Sequence, residues 1–348
     1  MITPRLLGLA AAFALIGSAP AVAAVAADAP AKKKSAPAPL AATPSPARTT
    51  DDVEFTIGPD YTYAPELTRR DGVPRGTVHE FTLNSADSTL YPGIAKTQPG
   101  TVPYRRAVAV YVPSGYVPGT AAPFIVAMDG VRAYGKILPP ILDNLIHDRR
   151  VPPMIAIMID SGGGDSKGSQ RGLEYDTVSA TYTAFIETEV LPRIAQKFGL
   201  TFTSDPAGRA AMGGSSGGAA AFTMGWFRPD LYRRILTYSG TYVDQQSPPN
   251  PASPHGAWDY HEHLIPQSER KPLRVWLQVS ENDNGATRDA ASLHNWVLAN
   301  RRMAAALKAK GYPYRFVFAE AAGHTDGRVT RQTLPGALEW LWQDYRAK

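Results

Sequence analysis

Residues 209–222 read Arg-Ala-Ala-Met-Gly-Gly-Ser-Ser-Gly-Gly-Ala-Ala-Ala-Phe. A short apolar run that breaks into glycine and serine and resumes as alanine and phenylalanine fits a strand turning sharply into a helix. Such a turn lifts a serine hydroxyl above the end of a sheet. It brings the neighbouring backbone so close that the residues two before and two after the serine must be tiny. Gly213 and Gly217 flank Ser215 in this way, and Gly214 and Gly218 flank Ser216. The strand reading ends at Met212, which favours Ser215 as the nucleophile and leaves Ser216 as the alternative. In the favoured register the Ser216 backbone N–H faces a developing oxyanion.

Working outward from this turn, strand-like and helix-like runs alternate from about residue 53, the mark of an α/β sandwich with a mainly parallel sheet. Strands are predicted over 76–83, 107–112, 124–128, 154–159, 209–212, 235–238, 273–279 and 314–318. The runs 124–128 and 154–159 are unbroken apolar stretches, as strands buried on both faces require. A helix is predicted over 179–198, where Ile186, Val190 and Ile194 recur at spacing four before Gly199. Two more follow, over 289–310, closed by Gly311 and Pro313, and over 334–345.

A serine hydroxyl is a weak nucleophile until a base takes its proton. In α/β hydrolases, whose serine sits on a turn of this kind, an acid and then a histidine follow it in the chain. Of the seven histidines, His79 and His147 precede the serine and His294 falls inside a predicted helix. Among His255, His261, His263 and His324, only His324 follows the last predicted strand. The strand over 273–279 runs into Ser280-Glu281-Asn282-Asp283, where Asp283 is the favoured acid and Glu281 the second candidate. Asp326 is too near His324 in sequence to orient it. A second oxyanion donor is expected in the loop after 124–128, with Gly130 and Val131 as the candidates.

These stretches, with Val110-Tyr-Val-Pro-Ser-Gly-Tyr116, Asp129-Gly130, Glu174-Tyr175-Asp176, Glu189-Val-Leu-Pro192 and Gly323-His324, carry a wider likeness. Residues 76–342 resemble the esterase D and enterochelin-esterase-like family of α/β hydrolases. The resemblance implies the α/β-hydrolase fold, with helices on both faces of the sheet. It also implies a serine hydrolase with Ser215, Asp283 and His324 as its triad, cleaving a carboxylic ester through an acyl-enzyme. Family members include siderophore trilactone esterases, feruloyl and acetyl xylan esterases and acyl-glutathione hydrolases. The implied partner is therefore a small-molecule ester such as a siderophore lactone or an acylated carbohydrate, with no cofactor. An acyltransferase using the same triad and a non-catalytic ligand-binding protein on a hydrolase scaffold are the alternatives.

The ends and the composition bound the setting. Arg5 and the apolar stretch 6–16 resemble the opening of a secretory signal, with small-residue cleavage sites near Ala23 and Ala26. Residues 1–26 are thus expected to be a signal peptide, and 27–51, rich in Ala, Pro and Lys, a disordered linker. The catalytic domain is expected over 52–348, working in the periplasm or outside the cell with no membrane anchor. The chain has no cysteine, which excludes disulfides, thiolate metal sites and lipidated cysteines. Residues 1–50 carry four of the five net positive charges, so the folded part offers no basic stripe for nucleic acid. Nothing in the sequence fixes the oligomeric state.

Two further groups of residues are candidates for the substrate wall: Arg171, and Trp258 with His261 in the irregular stretch after the 235–238 strand. Tyr260-His261-Glu262-His263, with His255 nearby, is rich in metal-ligating types, but packing and substrate contact are the favoured readings and no metal is expected. The glycine run 162–164 lacks the Lys-Ser/Thr that a phosphate loop carries.

Overall fold

The computed structural model describes residues 53–94, 100–164 and 168–346. The signal peptide and nearly all of the linker expected from the sequence lie outside the described residues.

Nine strands form the central sheet: β1 (Glu54–Ile57), β2 (Thr77–Asn84), β3 (Arg105–Val112), β4 (Phe124–Met128), β5 (Ile155–Ile159), β6 (Arg209–Gly214), β7 (Arg234–Tyr238), β8 (Arg274–Asn282) and β9 (Tyr314–Gly323). Their spatial order is β1-β9-β8-β7-β6-β4-β5-β3-β2. Among the described residues β3 is the strand that runs opposite to the rest, pairing antiparallel with both β2 and β5. The seven strands from β1 to β5 in that order are parallel. This is the mainly parallel α/β sheet expected from the sequence.

The apolar strand pattern builds two cores, one on each face. Along β4, Phe124, Val126 and Met128 point into one core and Ile125 and Ala127 into the other. Along β5, Ile155, Ile157 and Ile159 join the first and Ala156 and Met158 the second. All ten residues are buried. Period-two alternation therefore sends consecutive apolar residues to opposite faces, and each fully buried Ile or Val contributes about 1.5–3 kcal/mol.

The helices that matter to the site are α1 (Gly130–Tyr134), α2 (Leu138–His147), α3 (Gln170–Tyr175), α4 (residues 181–198), α5 (Ser216–Phe227), α6 (Trp296–Ala309) and α7 (Gly327–Trp342). In α4 the turn Ile186–Val190 widens to π geometry just before Pro192, whose missing N–H and bulky ring cannot continue a regular α-ladder. In α5 every residue from Ser216 to Trp226 is buried. Its glycines and alanines let the helix lie close on the sheet; a Cβ on Gly225 would come within 2.7 Å of the Ile235 side chain.

Two helix starts differ from the sequence reading. Helix α6 begins at Trp296 rather than 289, because the Asn295 side chain caps it by accepting the Leu298 N–H at 2.9 Å, after a separate turn at Ala290–Ser292. Helix α7 begins at Gly327 rather than 334, capped by Asp326, and carries Pro335 in its interior. Strand β1 was not anticipated: it is four residues long and only half-covered, at the edge of the sheet. Among the described residues no helix is long and apolar enough to cross a membrane.

Candidate active site

Strand β6 ends at Gly214 and α5 starts at Ser216, so Ser215 alone makes the turn, at φ 57° and ψ −130°. A non-glycine residue at positive φ is strained and persists only where its surroundings hold it. Here the Ser215 N–H donates to the Tyr238 carbonyl at 2.9 Å and its carbonyl accepts the Thr241 N–H at 3.0 Å. The glycines explain the register. A Cβ on Gly213 would lie 2.4 Å from the Gly217 carbonyl carbon, and one on Gly217 3.0 Å from the Met128 side chain. Ser215 is thus the residue at the apex, and Ser216 is fully buried as the first residue of α5.

His324 follows the end of β9, and its Nε2 lies 2.8 Å from Ser215 Oγ. Its Nδ1 lies 2.5 Å from Asp283 Oδ1. The Asp283 side chain is fully shielded, whereas the imidazole is 23% exposed, so the pair has a dry inner end and a wet outer one. Asp283 also accepts the Asn284 amide at 2.8 Å and the Ser280 amide at 3.4 Å. The structure therefore brings together the three residues the sequence singled out. The other two carboxylates have different tasks: Glu281 accepts the Ala321 amide, and Asp326 caps α7 and pairs with Arg328.

Two residues beside the triad were not anticipated. Thr241 Oγ1 lies 3.3 Å from Ser215 Oγ and accepts the indole N–H of Trp296 at 3.2 Å. The Trp296 ring meets His324 edge-on with centroids 6.1 Å apart. Thr241 follows a buried strand end and bears no sequence signal of its own. Trp296 has the composition of a core residue and lies at the very start of α6.

The amide of Ser216 is at a helix N-terminus, where the first N–H groups have no intrahelical acceptor. The candidates in the facing loop separate. The Val131 amide donates to Asp160 Oδ1 at 3.1 Å. Gly130 opens α1, and its missing side chain serves packing, since a Cβ there would be 2.7 Å from the Met158 Cα. Asp129, at φ 52°, lies between β4 and α1, and its amide reaches the Tyr175 hydroxyl at 3.3 Å. Burial raises the pKa of Asp160, against the lowering effect of Arg132 and the amides that bind it.

A cleft of about 230 Å³ opens beside Ser215, with Met128, Asp129, Tyr134, Arg171, Thr325 and Arg331 among its walls. Arg171 is there as expected, and its guanidinium binds Asp129 Oδ2 at 2.8 and 2.9 Å. Burial opposes its charge, but Asp129 together with Tyr175 and Asp176 outweighs burial and the pKa is raised. Trp258 and His261 do not line this cleft. They are 1% and 6% exposed and pack against each other, with Arg302 over the indole, in the core next to α6. Burial, together with Arg302, pushes the His261 imidazole down to about 3, so it is neutral at ordinary pH. Arg302 of α6 covers the Trp258 indole, and the Trp258 and His261 side chains are both shut off from solvent.

The wall of the site rests on a buried ion pair. Glu174 pairs with Arg106 at 2.7 Å and also accepts from Tyr104, Gln170 and the Gly162 amide. This ties α3 to β3 and sets Tyr175 behind Asp129.

The family model described as "Putative esterase" matches residues 101–341. The chain belongs to this esterase family. Membership makes it a carboxylic ester hydrolase of the α/β-hydrolase fold. The esterase is similar in structure to a ferulic acid esterase, with TM-score 0.57 and 17% identity over 78% of this chain and 100% of that one. It is also similar to the enterochelin esterase of Shigella flexneri, with TM-score 0.53 and 23% identity, covering 69% of this chain and 55% of that one. A third similar structure is a ferulic acid esterase from the anaerobic fungus Anaeromyces mucronatus, with TM-score 0.54 and 15% identity over 82% and 98%. No curated protein sequence matches the esterase.

Proposed function

We propose that the esterase works through a serine acyl-enzyme, with Ser215 as nucleophile, His324 as base and Asp283 as orienting acid. The observation that carries this reading is the continuous chain from Ser215 Oγ through both imidazole nitrogens of His324 to the shielded Asp283 carboxylate, at 2.8 and 2.5 Å. Ser215 Oγ attacks the ester carbonyl carbon while His324 Nε2 takes its proton. The tetrahedral oxyanion receives the Ser216 amide and the Gly130 amide. His324 returns the proton to the leaving alcohol. Water, activated by the same imidazole, then releases the acid and restores Ser215.

The substrate class is an ester of a compact acyl group, a siderophore lactone or an acylated carbohydrate. The modest cleft beside Ser215 and the likeness to enzymes named for ferulic acid and enterochelin esters support it. The working site is outside the cytoplasm, on the strength of the Arg5 and 6–16 pattern.

Labelling with a fluorophosphonate probe tests the nucleophile. The expected result is one labelled serine at 215 and loss of both labelling and p-nitrophenyl acetate hydrolysis in Ser215→Ala. Label on Ser216, or full activity in Ser215→Ala, overturns the assignment. A panel of trilactones, feruloyl sugars and acetyl sugars tests the substrate class, and cell fractionation of the full chain tests export.

A further inference from the structure

The excursion between β7 and β8 ends in helical turns at Gly256–Trp258, Tyr260–Leu264 and Ile265–Gln267. Along their start, His255, Asp259 and Glu262 follow one another at spacings of four and three, so they share one side of the winding. One ligand atom from each lies within 4.8 Å of the others. None of the three lines the cleft beside Ser215.

Two details set this cluster apart from a chance group of surface charges. The Asp259 side chain is only 2% exposed, and its Oδ1 has no hydrogen-bond donor although it is shut off from solvent. His255 Nδ1 is likewise shut off and without a hydrogen bond. These two atoms face each other at 3.4 Å, while the other carboxylate oxygen of Asp259 accepts the His255 amide at 3.2 Å. An imidazole nitrogen and a carboxylate oxygen buried face to face need a proton or a metal cation between them. In tetrahedral coordination with bonds of about 2.0–2.1 Å, neighbouring ligand atoms stand about 3.3 Å apart. The observed separation matches that edge.

We propose that His255 Nδ1, the Asp259 carboxylate and the Glu262 carboxylate form a binding site for a first-row divalent cation of the Zn²⁺ type. One nitrogen and two carboxylate donors suit such an ion better than Mg²⁺ or Ca²⁺, which prefer an all-oxygen shell. The buried Asp259 is the fixed ligand. Glu262, 39% exposed, is the arm that closes on the ion, with water completing the shell. The ion clamps the excursion that also carries Thr241 and Gln245, the latter donating to Asp176 at 3.0 Å and lying 3.4 Å from Ser216 Oγ. Its role is to fix this segment, at a distance from the reacting atoms.

The test uses the full chain, stripped with a chelator and titrated with Zn²⁺ by calorimetry, with Mg²⁺ as the control. The expected result is one equivalent bound, with a melting midpoint raised by roughly 5 °C when free Zn²⁺ is about 100 times its dissociation constant. His255→Ala, a change at a half-exposed side chain that leaves the fold intact, lowers Zn²⁺ affinity by about tenfold or more. Asp259→Asn does the same, and Glu262→Gln weakens binding less. Absence of saturable one-equivalent binding at about 100 µM Zn²⁺ overturns the proposal, as does undiminished binding in His255→Ala. An ordinary His255–Asp259 ion pair gives the first of these outcomes.

Discussion

Replacing Asp283 by asparagine separates the charge of the acid from its shape. The carboxylate takes His324 Nδ1 at 2.5 Å and the Asn284 amide at 2.8 Å on Oδ1, and the Ser280 amide at 3.4 Å on Oδ2. An asparagine must turn its NH₂ toward one side. At the Oδ1 place it would oppose two close donors, but at the Oδ2 place it loses only the longer Ser280 contact. The amide oxygen therefore stays at Oδ1, and His324 keeps its proton on Nδ1 with Nε2 open to Ser215. What is lost is the negative charge that stabilises the imidazolium formed during attack. Such a pair is worth about 4 kcal/mol at an effective dielectric of about 20 and a charge separation of about 4 Å. A neutral hydrogen bond restores about 1 kcal/mol of this. The remaining loss of about 3 kcal/mol corresponds to a fall in kcat of about 150-fold. Steady-state hydrolysis of p-nitrophenyl acetate, with Ser215→Ala as the floor, measures it, and ¹⁵N shifts of His324 report the tautomer. A kcat within about fivefold of the parent refutes the imidazolium argument. A fall near about 10⁴-fold with the proton on Nε2 refutes the amide placement.

Three other perturbations probe different layers of the structure. Gly213→Ala sets a methyl against the backbone of Gly217 and should cost about 3 kcal/mol in urea unfolding, whereas Gly214→Ala makes its one tight contact, at 3.2 Å, with the Thr325 side chain and should cost less. The reverse order would point to Ser216 at the apex. Thr241→Val keeps the shape but leaves the buried Trp296 N–H without its acceptor, so stability should fall by about 1–3 kcal/mol while kcat holds. Burial alone would raise the pKa of Glu189, but hydrogen bonds from the Ser88 and Thr89 side chains and the Thr89 and Leu90 amides lower it below the ordinary value. Its contribution to stability is therefore present above the unfolded-state pKa and lost as pH falls through the folded one. Glu189→Gln should be less stable than the parent at pH 7 and converge with it in acid, as chemical denaturation across pH will show.

How far the chain could be read depended on how local each signal was. The sharp turn at Ser215 is written in consecutive small residues, and the central strands β4 and β5 are written in unbroken apolar runs. Strand β1 escaped notice because four half-covered residues at a sheet edge need little apolar content. The starts of α6 and α7 are not legible in the sequence because Asn295 and Asp326 act as caps through backbone geometry that composition does not encode. The sequence leaves Trp258 and His261 readable as a substrate wall because aromatic and histidine side chains suit both a cleft and a core. Only packing against α6 distinguishes the two.

By itself, the amino-acid sequence determined the layered α/β arrangement, the serine turn, and the candidates for acid and base in their chain order. The first two follow from steric rules and apolar periodicity acting over a few neighbouring residues, and the last from the resemblance to known α/β hydrolases. The tertiary structure alone decided that Asp283 rather than Glu281 meets His324, that the Val131 amide is already bound by Asp160, and that Thr241 and Trp296 stand beside the serine. Each of those choices depends on hydrogen-bond distances between residues remote in the chain, and such distances exist only once the sheet has brought its strand ends together.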